Sequence, residues 1–101
     1  MKVLLDIDDT IFINGKIHPR FDDFLDWVMD DEHEVIVWSS HDDGSAIASI
    51  LKFGYLSKDD KKKPEADILI DDSCREFEKL CSVDISCSNL DSFLKFVQNG
   101  V

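Results

Sequence analysis

Short continuous runs of apolar residues alternate along this chain with segments in which apolar residues recur every three or four positions. A continuous apolar run is typical of a strand buried in a sheet, whereas the longer spacing is typical of a helix packed on one face. The runs predict four strands, over Met1–Leu5 with Ile7, Glu34–Trp38, Ala66–Ile70 and, more briefly, Ser82–Ser86.

Four helices are predicted between and after these strands, beginning near Pro19 and covering Ser45–Phe53, Cys74–Leu80 and Leu90–Gln98. Strands that alternate with helices predict an α/β fold in which a parallel sheet carries helices on both faces. We therefore expect a three-layer, Rossmann-like fold. A length of 101 residues predicts that residues 1–101 form a single domain.

The second predicted helix and the segment after it are the least regular part of the pattern. Its apolar positions are expected to turn Ile47, Ile50 and Leu51 towards the core. Gly54 is expected to end it, since glycine is common just beyond helix ends. Tyr55–Pro64 is predicted as a loop that holds at most a short strand.

A small β-hairpin is predicted directly after the first strand. The pair Asn14-Gly15 separates two short β-prone runs, Ile11–Ile13 and Lys16–His18. Asn-Gly is the strongest short-range signal for a hairpin, because both central residues of its turn must tolerate positive φ.

Composition and charge narrow the classes of partner. Apolar residues make up 44% of the chain, enough for a core, and no apolar run approaches the roughly 20 residues of a membrane span. The net charge is −11, from 22 acidic and 11 basic residues. Such an excess repels polyanions, and nucleic-acid binding rests on lysine and arginine, so the charge disfavours a nucleic-acid partner. Assembly into a homo-oligomer is left open.

The cysteines and the N-terminus indicate a cytoplasmic protein. The three cysteines, Cys74, Cys81 and Cys87, include no closely spaced pair, which predicts reduced thiols rather than a disulfide framework. They are interpreted as small buried apolar residues rather than metal ligands. The N-terminus has one lysine and becomes acidic by Asp6, which is not the pattern of a signal peptide.

Polar clusters follow three of the predicted strands. In parallel α/β sheets, ligands bind beyond the carboxyl ends of the strands, so residues at these places are expected to converge. The clusters are Asp6, Asp8, Asp9 and Thr10 after the first strand, residues 39–43 after the second, and Asp71, Asp72 and Ser73 after the third.

The acidic residues of these clusters point to phosphoryl chemistry with a magnesium ion. Crowded carboxylates require a cation or a raised pKa, and Mg²⁺ prefers hard oxygen ligands. Asp6 and Asp8 lie two apart, on one side of an extended chain, and Asp71 or Asp72 completes the set. One carboxylate can attack phosphorus while a second handles the protons. Asp6 and Asp8 fit these two roles in that order.

The oxygens of a transferring phosphoryl group require hydrogen-bond donors and a counter-charge. We assign Thr10, Ser39, Ser40 and one lysine to this phosphate-binding role. The lysine is taken as Lys63, rather than Lys58, Lys61 or Lys62, only because Pro64 follows it.

These residues, in this order, resemble the haloacid dehalogenase (HAD) superfamily of phosphatases. Its four motifs are matched, over positions 1–72, by Asp6-Ile7-Asp8-Asp9-Thr10, by Ser39, by Lys63-Pro64 and by Asp71-Asp72. The resemblance implies an aspartyl-phosphate at Asp6, an acid/base at Asp8, and Mg²⁺ held by Asp6, Asp8, Asp71 and Asp72. Asp8 would ligate through its backbone carbonyl, and Asp71 is favoured over Asp72 as the direct ligand.

The resemblance also suggests how open the site is. The chain matches a minimal member, in which the hairpin replaces the large cap domain that many relatives carry. Members of this kind have open sites and often act on large substrates, or a partner subunit closes the site. The expected partner is therefore a phosphorylated substrate, either a small molecule or a macromolecule.

Each motif also has a plainer interpretation. Asp71-Asp72-Ser73 can begin a helix, Ser39 can cap a strand end, and His41 is favoured as a surface histidine over a substrate contact. A signalling receiver domain is disfavoured because its acidic pair, acceptor and lysine follow in a different order. A catalytically silent module that offers its acidic surface to a basic partner is the main alternative.

Overall fold

The structure is a computed structural model and describes residues 1–99. Its elements, in chain order, are β1 (Lys2–Leu5), β2 (Phe12–Ile13), β3 (Lys16–Ile17), α1 (Phe21–Asp30), β4 (Glu34–Ser39), α2 (Gly44–Leu51), β5 (Gly54–Ser57), β6 (Ile68–Ile70), α3 (Cys74–Phe77), β7 (Ile85–Cys87) and α4 (Leu90–Asn99). A turn of 3₁₀ helix, Glu78–Leu80, extends α3.

Five strands form one parallel sheet in the order β5-β4-β1-β6-β7. The central strand, β1, pairs with β4 on one side, where Val3 lies opposite Val35, and with β6 on the other, where Val3 lies opposite Ile68. Parallel neighbours cannot be joined by a tight turn, so helices α1, α2 and α3 carry three of the crossings. The predicted α/β fold with a parallel sheet is confirmed, and it is compatible with a Rossmann-like fold.

The apolar side chains of the sheet are divided between two clusters. Successive side chains of a strand point to opposite faces, and β1 shows this directly. Val3 and Leu5 belong to a large cluster that includes Phe93 of α4, whereas Leu4 belongs to a smaller cluster that includes Cys74 of α3. Burial of both faces explains why β1 is a continuous apolar run rather than an alternating one.

The hairpin forms where the Asn14-Gly15 pair predicts it. Strands β2 and β3 pair antiparallel, with Phe12 opposite Ile17 and Ile13 opposite Lys16. Asn14 and Gly15 both have positive φ, 54° and 77°, as this kind of turn requires. The paired strands are two residues each, shorter than the predicted runs.

The prediction for helix α2 was wrong in two respects. The helix ends at Leu51. The next residue, Lys52, is left-handed with φ 60°, and Gly54 begins strand β5 instead of ending the helix. Ile50 is 80% exposed, and Ala48 occupies the buried face. Because residues two apart on a helix lie on nearly opposite sides, the helix cannot bury both Ala48 and Ile50.

Strands β6 and β7 are shorter than their apolar runs. Strand β6 begins at Ile68 rather than Ala66, and β7 begins at Ile85 rather than Ser82. Before them the two segments are joined by an isolated bridge between Glu65 and Ser82 and by the N–H groups of Asp84 and Ile85, which both donate to the Asp67 carbonyl, so the ladder is not regular there.

The state of the cysteine thiols and the character of the helices can be compared with what the sequence predicts. Cys74, Cys81 and Cys87 are buried and free of disulfides, and burial raises the pKa of the Cys81 and Cys87 thiols. Raised pKa values oppose the thiolate form that metals and electrophiles require. In the part of the chain that the structure describes, no helix has the length and apolar character to cross a membrane.

Candidate functional site

Two buried aspartates extend neighbouring strands at the carboxyl edge of the sheet. Asp6 directly follows β1, and its backbone N–H donates to the Ile70 carbonyl at 3.0 Å. Asp71 directly follows β6, and its N–H donates to the Cys87 carbonyl at 3.0 Å. These bonds fix where both side chains begin. Carboxylate oxygens of Asp6, Asp71 and Asp72 consequently lie within 4.8 Å of one another.

A lysine ammonium lies between two of these carboxylates. Lys58 Nζ is 3.1 Å from Asp6 Oδ1 and 2.6 Å from Asp71 Oδ2, and its side chain is only 7% exposed. Lys58 directly follows β5, and its N–H donates to the Ser39 carbonyl at 3.0 Å. The lysine therefore reaches the site from a strand end, as the two aspartates do.

Two aromatic rings confine the lysine from another side. The Lys58 ammonium lies 3.8 Å from the centre of the Phe77 ring and 5.5 Å from that of Trp38. The two rings meet edge to face, with centres 5.7 Å apart. The negative face of an aromatic ring attracts a cation, so Phe77 and Trp38 help hold Lys58 against the carboxylates.

The lysine assigned from the sequence, Lys63, lies elsewhere, and this prediction is corrected to Lys58. Lys63 is exposed and lines a groove with Lys2 and Gly54, the residues that begin β1 and β5. The chain runs from the carboxyl edge at Lys58 back to the amino end of β6, so a lysine just before β6 lies at the wrong edge. The signal that finds Lys58 is its position directly after a strand.

Thr10 braces the nucleophile candidate from within the protein. It is fully buried, its Oγ1–H donates to Asp6 Oδ2 at 3.4 Å, and Thr10 Oγ1 in turn accepts the Asp72 N–H at 3.2 Å. The hydroxyl therefore joins the loop after β1 to the loop after β6. Its predicted contact with phosphate stays a prediction.

Ser39, the last residue of β4, and Ser40, which follows it, do not hydrogen-bond to the carboxylates within residues 1–99. Ser39 is buried, and its Oγ accepts the His41 N–H at 3.0 Å, which leaves the hydroxyl proton available to donate. Ser40 is exposed in the following loop. Their predicted role in phosphate binding stays a prediction.

Asp8 is separated from the other aspartates by the turn of the chain. Its side chain is 64% exposed, and its Oδ1 lies 3.7 Å from His41 Nε2. The chain bends at Asp9, whose φ is 61°, and Asp9 N–H donates to the Phe12 carbonyl at 2.8 Å. Asp6 is therefore shielded from solvent, whereas the side chain of Asp8 is largely exposed to it. Ligation through the Asp8 backbone carbonyl stays a prediction.

The acidic pair after β6 divides into a buried and an exposed member. Asp71 is fully buried, and its Oδ1 accepts the Ser73 N–H at 2.9 Å. Asp72 is exposed at the rim. The same segment leads into helix α3 at Cys74, but no side chain caps that helix, so only the position of the motif, and not a capping role, agrees with its interpretation as a helix start.

The site is under electrostatic stress. Burial, followed by repulsion from Asp71, raises the pKa of Asp6 from 3.8 to about 7, although Lys58 opposes the shift. One ammonium therefore does not fully compensate the clustered carboxylates. An oxygen donor set of this kind suits a hard divalent cation such as Mg²⁺, which Asp6, Asp71 and Asp72 could hold.

Comparison with known proteins adds no relative to this picture. No protein-family model, no curated protein and no solved structure matches the chain.

Replacing Lys58 by Met tests the assignment of the lysine. At pH 8 in EDTA, we expect K58M to lower the free energy of unfolding by about 3–5 kcal/mol, because it leaves two buried carboxylates without their cation. At pH 5 the loss should shrink, since protonated Asp6 repels Asp71 less. The exposed match, K63M, should change stability by less than about 0.5 kcal/mol. Urea denaturation measures both, and a larger loss in K63M than in K58M would contradict the assignment.

Replacing Asp6 by Asn tests the charge stress. Between about pH 4 and pH 7 native Asp6 keeps a proton that the unfolded chain has released, so this group makes the native state lose stability as pH rises through that window. D6N removes the dependence. In EDTA at pH 8, D6N should exceed wild type by on the order of 3 kcal/mol, and the difference should fade towards pH 4. A D6N protein less stable than wild type at pH 8 would refute it.

Proposed function

We propose that this protein is a Mg²⁺-dependent phosphomonoester hydrolase of the haloacid dehalogenase type, with Asp6 as the nucleophile. The observation that carries the proposal is the buried Asp6 carboxylate at the end of the central strand, clustered with Asp71 and Asp72 and paired with Lys58. The order of the four sequence motifs supports it further, with Lys58 in place of Lys63.

The fold supports the same assignment. Helical residues in both apolar clusters favour a three-layer, Rossmann-like arrangement. Only the hairpin β2–β3 lies between β1 and α1, where many relatives insert a cap. We propose that the site is correspondingly open and takes a phosphate group displayed by a large substrate.

The carboxylates of Asp6, Asp71 and Asp72 would hold the magnesium ion, with the Asp8 backbone carbonyl as a further ligand. When bound, Mg²⁺ neutralises part of the charge and polarises a phosphoryl oxygen. Lys58 supplies the remaining counter-charge, and Thr10 orients the Asp6 carboxylate through its hydroxyl. The Ser39 hydroxyl and the N–H groups of the following loop would donate to the phosphoryl oxygens.

The reaction proceeds in two displacements. An Asp6 oxygen attacks phosphorus and forms the aspartyl-phosphate while the ester P–O bond breaks, and Asp8 gives its proton to the leaving oxygen. Asp8, now a carboxylate, takes a proton from a water molecule whose oxygen attacks the same phosphorus. The bond from phosphorus to Asp6 breaks, inorganic phosphate leaves, and both aspartates return to their starting forms.

Turnover of 4-nitrophenyl phosphate tests the nucleophile. We expect wild type to release 4-nitrophenol only with Mg²⁺, and D6N to lose at least about 10³-fold in kcat, since the amide cannot form the aspartyl-phosphate. D22N, an exposed change in α1, should retain wild-type turnover. Undiminished Mg²⁺-dependent turnover in D6N would refute the mechanism.

One observation favours the alternative of a catalytically silent binding module. Lys58 already lies between Asp6 and Asp71, so the cluster has a cation of its own and can fold without a metal. In this alternative the net charge of −11 serves to attract a basic partner.

Thermal unfolding with and without Mg²⁺ separates the two functions. For the enzyme, 10 mM Mg²⁺ should raise the Tm of wild type by roughly 5 °C over EDTA, because the ion binds only the native state. D71N should lose most of this shift and D22N should keep it. No shift in wild type, together with no turnover, would establish the silent module instead.

Two further proposals concern the cellular location of the protein and the class of its substrate. We propose a cytoplasmic location, which is supported by three buried, unpaired thiols. A substrate other than nucleic acid is favoured by the acidic surface.

A further inference from the structure

His41 is held by three hydrogen bonds within its own loop. Its backbone N–H donates to Ser39 Oγ, its carbonyl accepts the Gly44 N–H, and its ring Nδ1 accepts the Asp43 N–H, each at 3.0 Å. Bonds to the backbone and to the ring together leave the imidazole little freedom to turn. The position and the orientation of the ring are therefore set by the loop itself.

The bond to Nδ1 also determines where the ring carries its proton. A neutral imidazole has one N–H and one acceptor nitrogen, and Nδ1 is occupied as the acceptor. The proton of the neutral ring is consequently on Nε2. That nitrogen faces Asp8 Oδ1 at 3.7 Å, at the carboxyl edge of the sheet.

The Asp8 carboxylate has no other side-chain partner within residues 1–99. At 3.7 Å the contact with His41 is longer than a hydrogen bond, and both side chains are partly exposed. Contacts between catalytic groups are often long in a free enzyme and shorten when substrate binds. A side chain as exposed as Asp8 would otherwise sample several rotamers, of which only some direct an oxygen at the leaving group.

The other two histidines have different surroundings. His18 is buried, and its Nδ1 accepts the Arg20 N–H. His33 stacks on Trp27, with ring centres 3.7 Å apart. Each also lies near a carboxylate, since His18 Nε2 is 3.4 Å from Asp91 Oδ2 and His33 Nε2 is 3.9 Å from Asp31 Oδ2. Neither of these carboxylates takes part in the proposed mechanism, whereas the carboxylate beside His41 is its acid/base.

We propose that His41 is a positioning residue for Asp8, a role that rests on the proposed function. Its Nε2–H holds Asp8 Oδ1 and thereby directs Oδ2 to the reacting atoms. In the first displacement Oδ2 carries the proton that passes to the leaving oxygen. In the second, Oδ2 accepts the proton from water. His41 itself neither gains nor loses a proton.

The variant H41N separates this role from the shape of the loop. Asn Oδ1 can replace Nδ1 as the acceptor for the Asp43 N–H, but the variant lacks the Nε2–H that faces Asp8. H41A removes both groups, so the difference between H41A and H41N reports what the bond to the Asp43 N–H contributes. S45A, an exposed change at the start of α2, is the matched control. Equal Tm values confirm that a variant is folded.

Two aryl esters of similar shape supply the chemical readout. Phenoxide is a more basic leaving group than 4-nitrophenoxide and depends more on a correctly placed acid. For H41N we expect kcat/KM to fall about 10-fold or more on phenyl phosphate and less than about 3-fold on 4-nitrophenyl phosphate. KM should stay near the wild-type value for both esters, and S45A should match wild type throughout.

The other outcomes are distinguishable. An H41N enzyme equal to wild type would show that His41 only shapes the loop, and equal losses on both esters with a raised KM would make it a substrate-binding group. Either result overturns the inference and leaves the proposed function standing. Wild type that hydrolyses neither ester with Mg²⁺ overturns the proposed function, and this role with it.

The tautomer provides a check that does not depend on activity. Long-range proton–nitrogen NMR of the histidine rings at pH 8 should show His41 protonated on Nε2 and unprotonated on Nδ1. D8N should shift the Nε2 signal of His41 and leave that of His33 in place. A proton on Nδ1 would overturn the inference even in an active enzyme.

Discussion

The pairing of Lys58 with Asp6 and Asp71 is the interaction on which the arrangement at the carboxyl edge depends. Two carboxylates that leave neighbouring strands side by side, out of water, repel each other at a cost that apolar packing does not offset. The ammonium reduces the cost, and the raised pKa of Asp6 shows that it does not remove it. The negative charge that the ammonium leaves uncompensated is the property on which the proposed magnesium site rests.

The crowding follows from sheet geometry rather than from any special loop. Strands in a sheet lie about 4.8 Å apart, so side chains that directly follow adjacent strands begin close together. The order β5-β4-β1-β6-β7 places β1 next to β6, which brings Asp6 beside Asp71. Lys58 comes from β5, two strands from β1, and spans that distance because its side chain is long. A shorter residue at position 58 would not reach Asp6.

This geometry explains what the sequence could and could not predict. The apolar runs reveal β1, β4 and β6, and a single rule, that function follows strand ends, then identifies Asp6, Ser39 and Asp71. The same rule identifies Lys58 only if β5 is known to be a strand. Its four residues, Gly54–Ser57, lie at the sheet edge and are only half apolar, so the pattern predicted a loop there that holds at most a short strand. Lys63 was favoured only because Pro64 follows it, and this local feature of the sequence contains no information on which edge of the sheet the residue lies at.

Contacts between loops were beyond prediction for a different reason. The link from Thr10 to Asp72 and the approach of His41 to Asp8 depend on backbone turns, including the left-handed Asp9. Periodicity describes which face of an element is buried, but it contains no information on how two turns meet. The exposed Ile50 shows a related limit of the sequence pattern. The spacing of apolar residues identifies an apolar stripe on the helix, but it does not show which side of that stripe the sheet covers.

The contrast between Asp6 and Asp8 links the electrostatics to the proposed chemistry. A nucleophile and an acid/base drawn from the same residue type must differ through their surroundings. Asp6 is buried, fixed by Lys58 and Thr10, and cannot turn away from its neighbours. Asp8 is exposed and can exchange protons with water, but exposure also leaves it free to rotate. In the proposed mechanism this freedom gives an orienting partner a role, and His41 Nε2, in the loop after β4, lies 3.7 Å from Asp8 Oδ1.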